Sequence, residues 1–194
     1  MVNVFIITQR DYEKGENIMP YSSLAGKQKL FEYIVTTIPV ESKIIDIGAG
    51  SGWYYDYLIE HNYLNMDAIE AFEPYIEKFK LRNKYDNVYL INALDFDYSK
   101  GKYDVVILGD ILEHLSEEKA RVLLDKIFPY VKIIIVSVPY NCVQGIEYGN
   151  ILETHLQPDL TKEKFEKLYP EFRCIADDTV EGFHVGVWVW EKKE

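Results

Sequence analysis

Cysteine is scarce in this chain: Cys142 and Cys174 are the two among 194 residues. Two thiols alone build no disulfide framework, and neither belongs to a closely spaced Cys/His metal cluster. Both are expected as reduced thiols in a cytoplasmic protein. Long apolar runs are missing too, since none approaches the roughly 18–20 residues that span a bilayer. Met1 to Arg10 has only a short apolar stretch, with no basic flank or cleavage site, which is not the pattern of a signal peptide. Positive charge is in deficit, with 21 Lys+Arg against 32 Asp+Glu for a net charge of −11. Such a balance repels phosphate backbones and anionic lipid, and no Lys/Arg run offsets it. Neither nucleic acid nor a membrane is expected as a partner, and nothing in the chain specifies an oligomeric state.

What is present is an ordinary globular composition, 48% hydrophobic and 27% charged, which excludes disorder as a description of the whole chain. One domain is expected over residues 1–194, with 1–42 as an N-terminal segment and covering helix and 43–194 as the core. Short β-branched runs alternate with amphipathic stretches, the pattern of a parallel sheet covered by helices. Strands are expected at Lys43–Ile47, Met66–Glu70, Val88–Asn92, Tyr103–Leu108, Ile133–Val138, Arg173–Ala176 and Val185–Glu191. Helices are expected at Ser22–Ile38, Trp53–His61, from Pro74 with Glu73 as cap, after Ser116, and at Thr161–Tyr169. In the first helix Leu24, Phe31, Ile34, Val35 and Ile38 are expected to cover the sheet. The fold class is therefore α/β, a doubly wound, seven-stranded, mostly parallel sheet with helices on both faces. Two stretches carry no regular signal, Met1–Tyr21 and Tyr140–Asp159. The second follows the fifth strand, on the side where such sheets bind ligands.

The strongest chemical signal is Asp46-Ile47-Gly48-Ala49-Gly50-Ser51-Gly52, directly after a strand and before a helix. Glycine here allows a sharp turn and close approach of a ligand, and the helix that follows aims free N–H groups at the same spot. Glu70 ends the next strand, 24 positions after Asp46, where a carboxylate can accept from both hydroxyls of a ribose. Glu73 is a rival for that role. A dinucleotide fingerprint wants a third glycine where Trp53 stands, and Asp46 is poor company for a diphosphate. These features suit a nucleoside bearing a cationic amino acid better than a nicotinamide dinucleotide.

Three further segments follow in order: Glu70, then Asn92-Ala93-Leu94-Asp95, then Tyr103-Asp104-Val105-Val106-Ile107-Leu108-Gly109-Asp110-Ile111-Leu112-Glu113-His114-Leu115. With Asp46–Gly52 before them, they resemble class I S-adenosylmethionine-dependent methyltransferases, in particular the small-molecule and quinone-type enzymes with a Glu-His pair after the fourth strand. The resemblance runs from about Lys43 to Glu191 and implies a Rossmann-like methyltransferase fold and S-adenosylmethionine as cofactor. It implies that Asp46, Gly48, Ala49, Gly50 and Gly52 hold the methionine end, that Glu70 holds the ribose, and that Ala93 and Asp95 flank the adenine. Gly109 would line the cofactor and the acceptor. Asp95 also reads as a solvated loop carboxylate, and Asp104 as structural.

His114 and His155 are the candidate catalytic bases, because imidazole titrates near neutrality. His114 reads equally as a packing residue that holds the loop over the cofactor, and His155 lies in the long loop expected to cover the acceptor. His61 and His184 have no supporting context. No two histidines show ligand spacing along the chain, so no metal is inferred. Val138-Pro139-Tyr140-Asn141 is read as a strand ending in a bend at the pocket wall, and Trp53, Tyr54 or Tyr57 can stand beside a sulfonium. The expected activity is methyl transfer to a small-molecule acceptor. The alternative is a non-catalytic S-adenosylmethionine-binding protein acting through a protein partner.

Overall fold

The computed structural model describes residues 24–193. Seven strands, β1 (Ile44–Ile47), β2 (Met66–Glu70), β3 (Asn87–Leu90), β4 (Val105–Gly109), β5 (Ile133–Pro139), β6 (Arg173–Val180) and β7 (Phe183–Glu191), form one sheet in the order β3-β2-β1-β4-β5-β7-β6. β1 to β5 are parallel, while β7 runs antiparallel to both β5 and β6. The expected seven-stranded, mostly parallel sheet is thus observed. Strand order reverses at β1 and β4, which opens a crevice at their carboxyl ends, the usual ligand position in such sheets.

Alternation along each strand divides the core in two. Ile44, Met66, Ala68, Val105 and Ile107 face α1 (Lys27–Thr37), α2 (Trp53–Ile59) and α3 (Glu73–Lys78). Ile45, Ile47, Ile69, Val106, Leu108 and Ile134 face α4 (Glu117–Ile127) and α5 (Lys162–Leu168). Both faces are covered, which is why β5 reads as a continuous apolar run rather than an alternating one. α4 is fixed at its start by Ser116, whose hydroxyl accepts from Lys119 N, with Glu117 and Glu118 at the positive end of the helix dipole. It buries Ala120, Leu123, Leu124 and Ile127.

Several boundaries differ from expectation, each for a local reason. α1 begins at Lys27 rather than Ser22; Leu24 lies in the preceding turn, 38% exposed, while Phe31, Ile34 and Ile38 pack on the sheet as expected. Residues before 24, including the whole Met1–Tyr21 stretch and the expected helix start at Ser22, lie outside the described residues. Phe72, not Glu73, takes the cap position of α3, so Glu73 and Pro74 stand inside its first turn. β3 stops at Leu90 because Asn92 instead caps a short turn, accepting from Leu94 N. β6 and β7 are longer than expected because Glu181 and Gly182 both take positive φ (53° and 85°), a two-residue hairpin that matches strand twist. Asp104 binds Lys43 N and Lys132 at the amino end of β4, remote from the crevice, which is a structural role.

Candidate functional site

The crevice is floored by the turn after β1. Gly48 has φ +71°, and a Cβ there would sit 2.0 Å from Ile111 Cδ1, so the turn closes only without a side chain. The cleft is lined by Gly48 to Ser51, Trp53 and Tyr54 on one side. Glu70, Ala71 and Tyr75 continue that wall, and Asn92 to Leu94 form another. Gly109 to Ile111 and Glu113 to Leu115 face the loop after β5, which contributes Cys142, Gln144, Asn150, Glu153 and His155.

Glu70 is 6% exposed and spans the turn: Oε2 accepts from Gly50 N at 3.0 Å and Oε1 from Phe72 N at 2.8 Å. Burial pushes its carboxyl above the usual range, opposed by those two backbone bonds. Each oxygen keeps acceptor capacity toward the cleft. Glu73 is exposed and outside the lining, whereas Glu70 lines the cleft. Asp46 lies on β1, 2% exposed and not among the lining residues; Tyr85 donates to Oδ2 at 2.6 Å, and Oδ1 has no hydrogen-bond partner among the described residues. Gly52 is at the start of α2 against Lys84 and Leu81, also outside the lining. Asp95 is exposed and faces a separate shallow groove with Phe96 and Lys100, whereas its neighbours Asn92, Ala93 and Leu94 line the cleft.

One network centres on Lys27, to which sequence reading gave no role. Lys27 of α1 is 4% exposed and donates to the Tyr54 hydroxyl at 2.6 Å, with Asp110 Oδ2 at 3.6 Å. The Tyr54 hydroxyl lies 3.2 Å from Ser137 Oγ, which donates to Asp110 Oδ1 at 2.8 Å. Burial alone would lower the lysine's pKa; Asp110 and the Tyr54 hydroxyl outweigh it, so the ammonium stays charged. The signal was available: Lys27 precedes Leu30, Phe31 and Ile34 by three, four and seven positions, on the buried stripe of α1. Trp53 and Tyr54 both line the cleft, and Lys27 sits over both rings; Tyr57 stacks on Phe31 instead.

The other half of the cleft collects the candidate bases. His114 and His155, 41 positions apart in sequence, meet edge to face with ring centroids 4.7 Å apart. Glu113 joins them, and one ligand atom from each of the three lies within 4.8 Å of the others. Spacing along the chain gave no hint of this cluster, because the loop after β5 carries His155 back over β4. Burial and the neighbouring His155 push His114 down to about 4. Burial and the Asp110 charge raise the Glu113 carboxyl well above the usual range. His61 and His184 lie elsewhere, His61 against Tyr57 O and His184 against Asp177.

A family model described as a methyltransferase domain matches residues 19–172. No curated protein sequence matches the chain. Among solved structures, the Synechocystis magnesium protoporphyrin IX methyltransferase with bound SAM aligns at TM-score 0.61 and 14% identity, over 87% of this chain and 80% of that one. A Burkholderia thailandensis N1-methyltransferase bound to 1,6-didemethyltoxoflavin and S-adenosylhomocysteine aligns at 0.64 and 17%, over 87% and 77%. A Pyrococcus horikoshii OT3 protein aligns at 0.62 and 14%, over 96% and 100%. At these identities the structures establish the fold, and the family match carries the activity. The closed glycine turn and the Glu70 carboxylate fit an amino-acid nucleoside, and the chain belongs to the methyltransferase domain family, a methyltransferase that uses S-adenosylmethionine.

Proposed function

We propose that the chain methylates a small-molecule acceptor held between the Gly109–Leu115 segment and the loop after β5. The observation that carries this reading is the Glu70 carboxylate, braced by Gly50 N and Phe72 N at the mouth of the glycine turn with acceptor capacity left over. Bound S-adenosylmethionine supplies a methyl group on a sulfonium sulfur, whose departure leaves a neutral thioether. The protein's task is then alignment, worth several kcal/mol and up to roughly 7–11 in favourable models. Glu70 holds the ribose, the turn at Gly48–Gly50 receives the methionine end, and Ala93 stands at the adenine. Asp46 acts from beneath the turn, its negative charge favouring a cationic ligand above. Trp53 and Tyr54 offer ring faces to that cation. Asp95 and Gly52 shape their segments from outside the cleft.

His114 and His155 flank the acceptor's reactive group. The cleft favours an acceptor with an apolar body, since Leu152 of the loop after β5 is exposed and lines it together with Ile91, Leu94 and Ile111. The net charge of −11 disfavours a polyanion such as nucleic acid. The likeness to the N1-methyltransferase crystallised with 1,6-didemethyltoxoflavin points the same way.

The test has two steps. Calorimetry with S-adenosylhomocysteine should give micromolar binding in the wild type, sharply weakened by Glu70→Gln. Incubation with S-adenosylmethionine and a panel of small phenols, carboxylic acids and amines should then release S-adenosylhomocysteine for some members. No cofactor-product binding by the wild type would overturn the reading.

A further inference from the structure

We propose that Glu113, His114 and His155 form a site for a divalent transition-metal ion in the acceptor half of the cleft, with open positions that take an oxygen of the acceptor. This deepens the methyltransferase reading above and rests on it for the acceptor.

The first ground is the state of Glu113. It is 1% exposed, lines the cleft, and neither carboxylate oxygen has a hydrogen-bond partner among the described residues. Its contact with His114 Nε2 is long, at 4.0 Å. Buried carboxyls are ordinarily paired or hydrogen-bonded, and a protonated one would still have an O–H to donate. A cation is the partner that accounts for both oxygens. His114 Nδ1 is also buried with no hydrogen-bond partner among the described residues.

The second ground is that the cluster is built from two segments bolted together behind it. Glu113 O accepts from Leu156 N at 2.8 Å and from Gln157 N at 3.1 Å. The Gln157 side chain, buried, donates to Leu112 O at 2.8 Å and Leu115 O at 3.0 Å. These four bonds tie the turn carrying Glu113 and His114 to the loop carrying His155. His155 itself has Nδ1 on Cys142 O at 2.8 Å, which leaves Nε2 as the free donor atom. A ring whose other nitrogen is fixed on a backbone carbonyl is the usual posture of a ligating histidine.

Donor chemistry then narrows the ion. Two neutral imidazoles and one carboxylate suit Mn²⁺, Fe²⁺, Co²⁺ or Zn²⁺ better than Mg²⁺, which prefers oxygen. Ligands at about 2.0–2.2 Å from an ion stand about 3–3.5 Å apart, so the cluster closes by about an ångström on binding. Three protein ligands leave positions open, and the cleft lies on that side. An acceptor carrying a hydroxyl or carboxylate oxygen would fill them, which orients that oxygen and explains why His114 and His155 need not act as free bases.

The probe is Mn²⁺ alone, added to the full chain after chelator treatment and followed by electron paramagnetic resonance. Zn²⁺ is titrated in parallel by calorimetry. One equivalent of either ion should bind with micromolar affinity, and Glu113→Gln and His155→Ala should each weaken it at least 100-fold. S-adenosylhomocysteine binding serves as the control and should stay within about 3-fold in both variants. Metal-free Glu113→Gln should keep one cooperative unfolding transition by circular dichroism, which separates lost binding from lost folding. No stoichiometric binding of either ion at 100 µM, about a hundredfold above the expected constant, or binding that survives both substitutions, would overturn the proposal. Loss of S-adenosylhomocysteine binding by the wild type would instead overturn the methyltransferase reading.

Discussion

Tyr85 donates its hydroxyl to Asp46 Oδ2 at 2.6 Å, the one hydrogen bond that the carboxylate makes among the described residues beneath the glycine turn. Burial drives the Asp46 carboxyl from 3.8 up to about 6, against the pull of the Tyr85 hydroxyl and the Lys27 charge. A charged Asp46 is therefore costly in the ligand-free protein. A cationic amino-acid nucleoside above the turn offsets that cost, which couples stability to ligand binding.

Asp46→Asn should consequently stabilise the ligand-free protein at neutral and alkaline pH. Between about pH 4 and 6 the folded carboxyl keeps a proton that the unfolded one releases. Stability from this group is thus fully present below the unfolded value and is lost as pH rises through about 6. A shift of about 2 units corresponds to at most about 3 kcal/mol, and lost interactions reduce it, so a gain of about 1–3 kcal/mol is expected at pH 8. Urea unfolding at pH 8 and pH 4 checks it: the gain should shrink toward zero at the lower pH. An equal gain at both would show that charge is not its source. S-adenosylmethionine should bind this variant more weakly.

Glu70→Gln removes one acceptor oxygen and the charge together. Either Gly50 N or Phe72 N then faces an amide NH₂ group, and the cofactor loses one hydroxyl partner. Affinity for S-adenosylhomocysteine should fall about 10–100-fold, corresponding to about 1.5–3 kcal/mol. Glu73→Gln, in an exposed side chain, should change it by less than about 2-fold. If the two variants behaved alike, the ribose assignment would be wrong.

How legible these features were depended on whether the determinant was local. The strand–turn–helix at Asp46–Gly52 and the acid ending β2 are set by adjacent residues, and both were readable. So was α4, whose cap, charges and apolar stripe lie within a dozen positions. The end of β6 was not, because Asp177, Asp178 and Thr179 are exposed, and their polarity hides a strand held by backbone pairing to β7. Lys27 escaped because a lysine on an apolar stripe looks like a break in the pattern until Tyr54, Ser137 and Asp110 are seen around it. The meeting of Glu113, His114 and His155 is a product of tertiary topology and has no local signature.

Gly109→Ala tests the contact between β4 and α2. A Cβ at Gly109 would lie 2.2 Å from Tyr54 Cε2 and 2.4 Å from its hydroxyl oxygen, so the ring must move. Moving it also breaks the Lys27–Tyr54–Ser137 chain. The expected cost is about 1–3 kcal/mol from overpacking, with weaker cofactor binding. Because the clash is with one ring, Gly109→Ala should cost far less in a Tyr54→Ala background. A double-mutant cycle by chemical denaturation measures this, and simple additivity would refute the steric account.

Gln157→Leu probes the clamp between the Leu112–His114 turn and the loop after β5. The side chain is 3% exposed, and its amide satisfies two buried carbonyls, Leu112 O and Leu115 O. Leucine fills similar space but leaves both oxygens without that donor, at a cost of about 1–3 kcal/mol each before any relaxation. The loop is the element that can relax, because the turn is anchored through Leu112 in the core. Amide hydrogen exchange should therefore speed up across residues 142–157 while the strands β1, β2 and β4 keep their protection. S-adenosylhomocysteine binding, which depends on the glycine turn and Glu70, should hold within about 3-fold. Exchange that rose uniformly through the sheet would mean that Gln157 supports the fold as a whole rather than the acceptor wall.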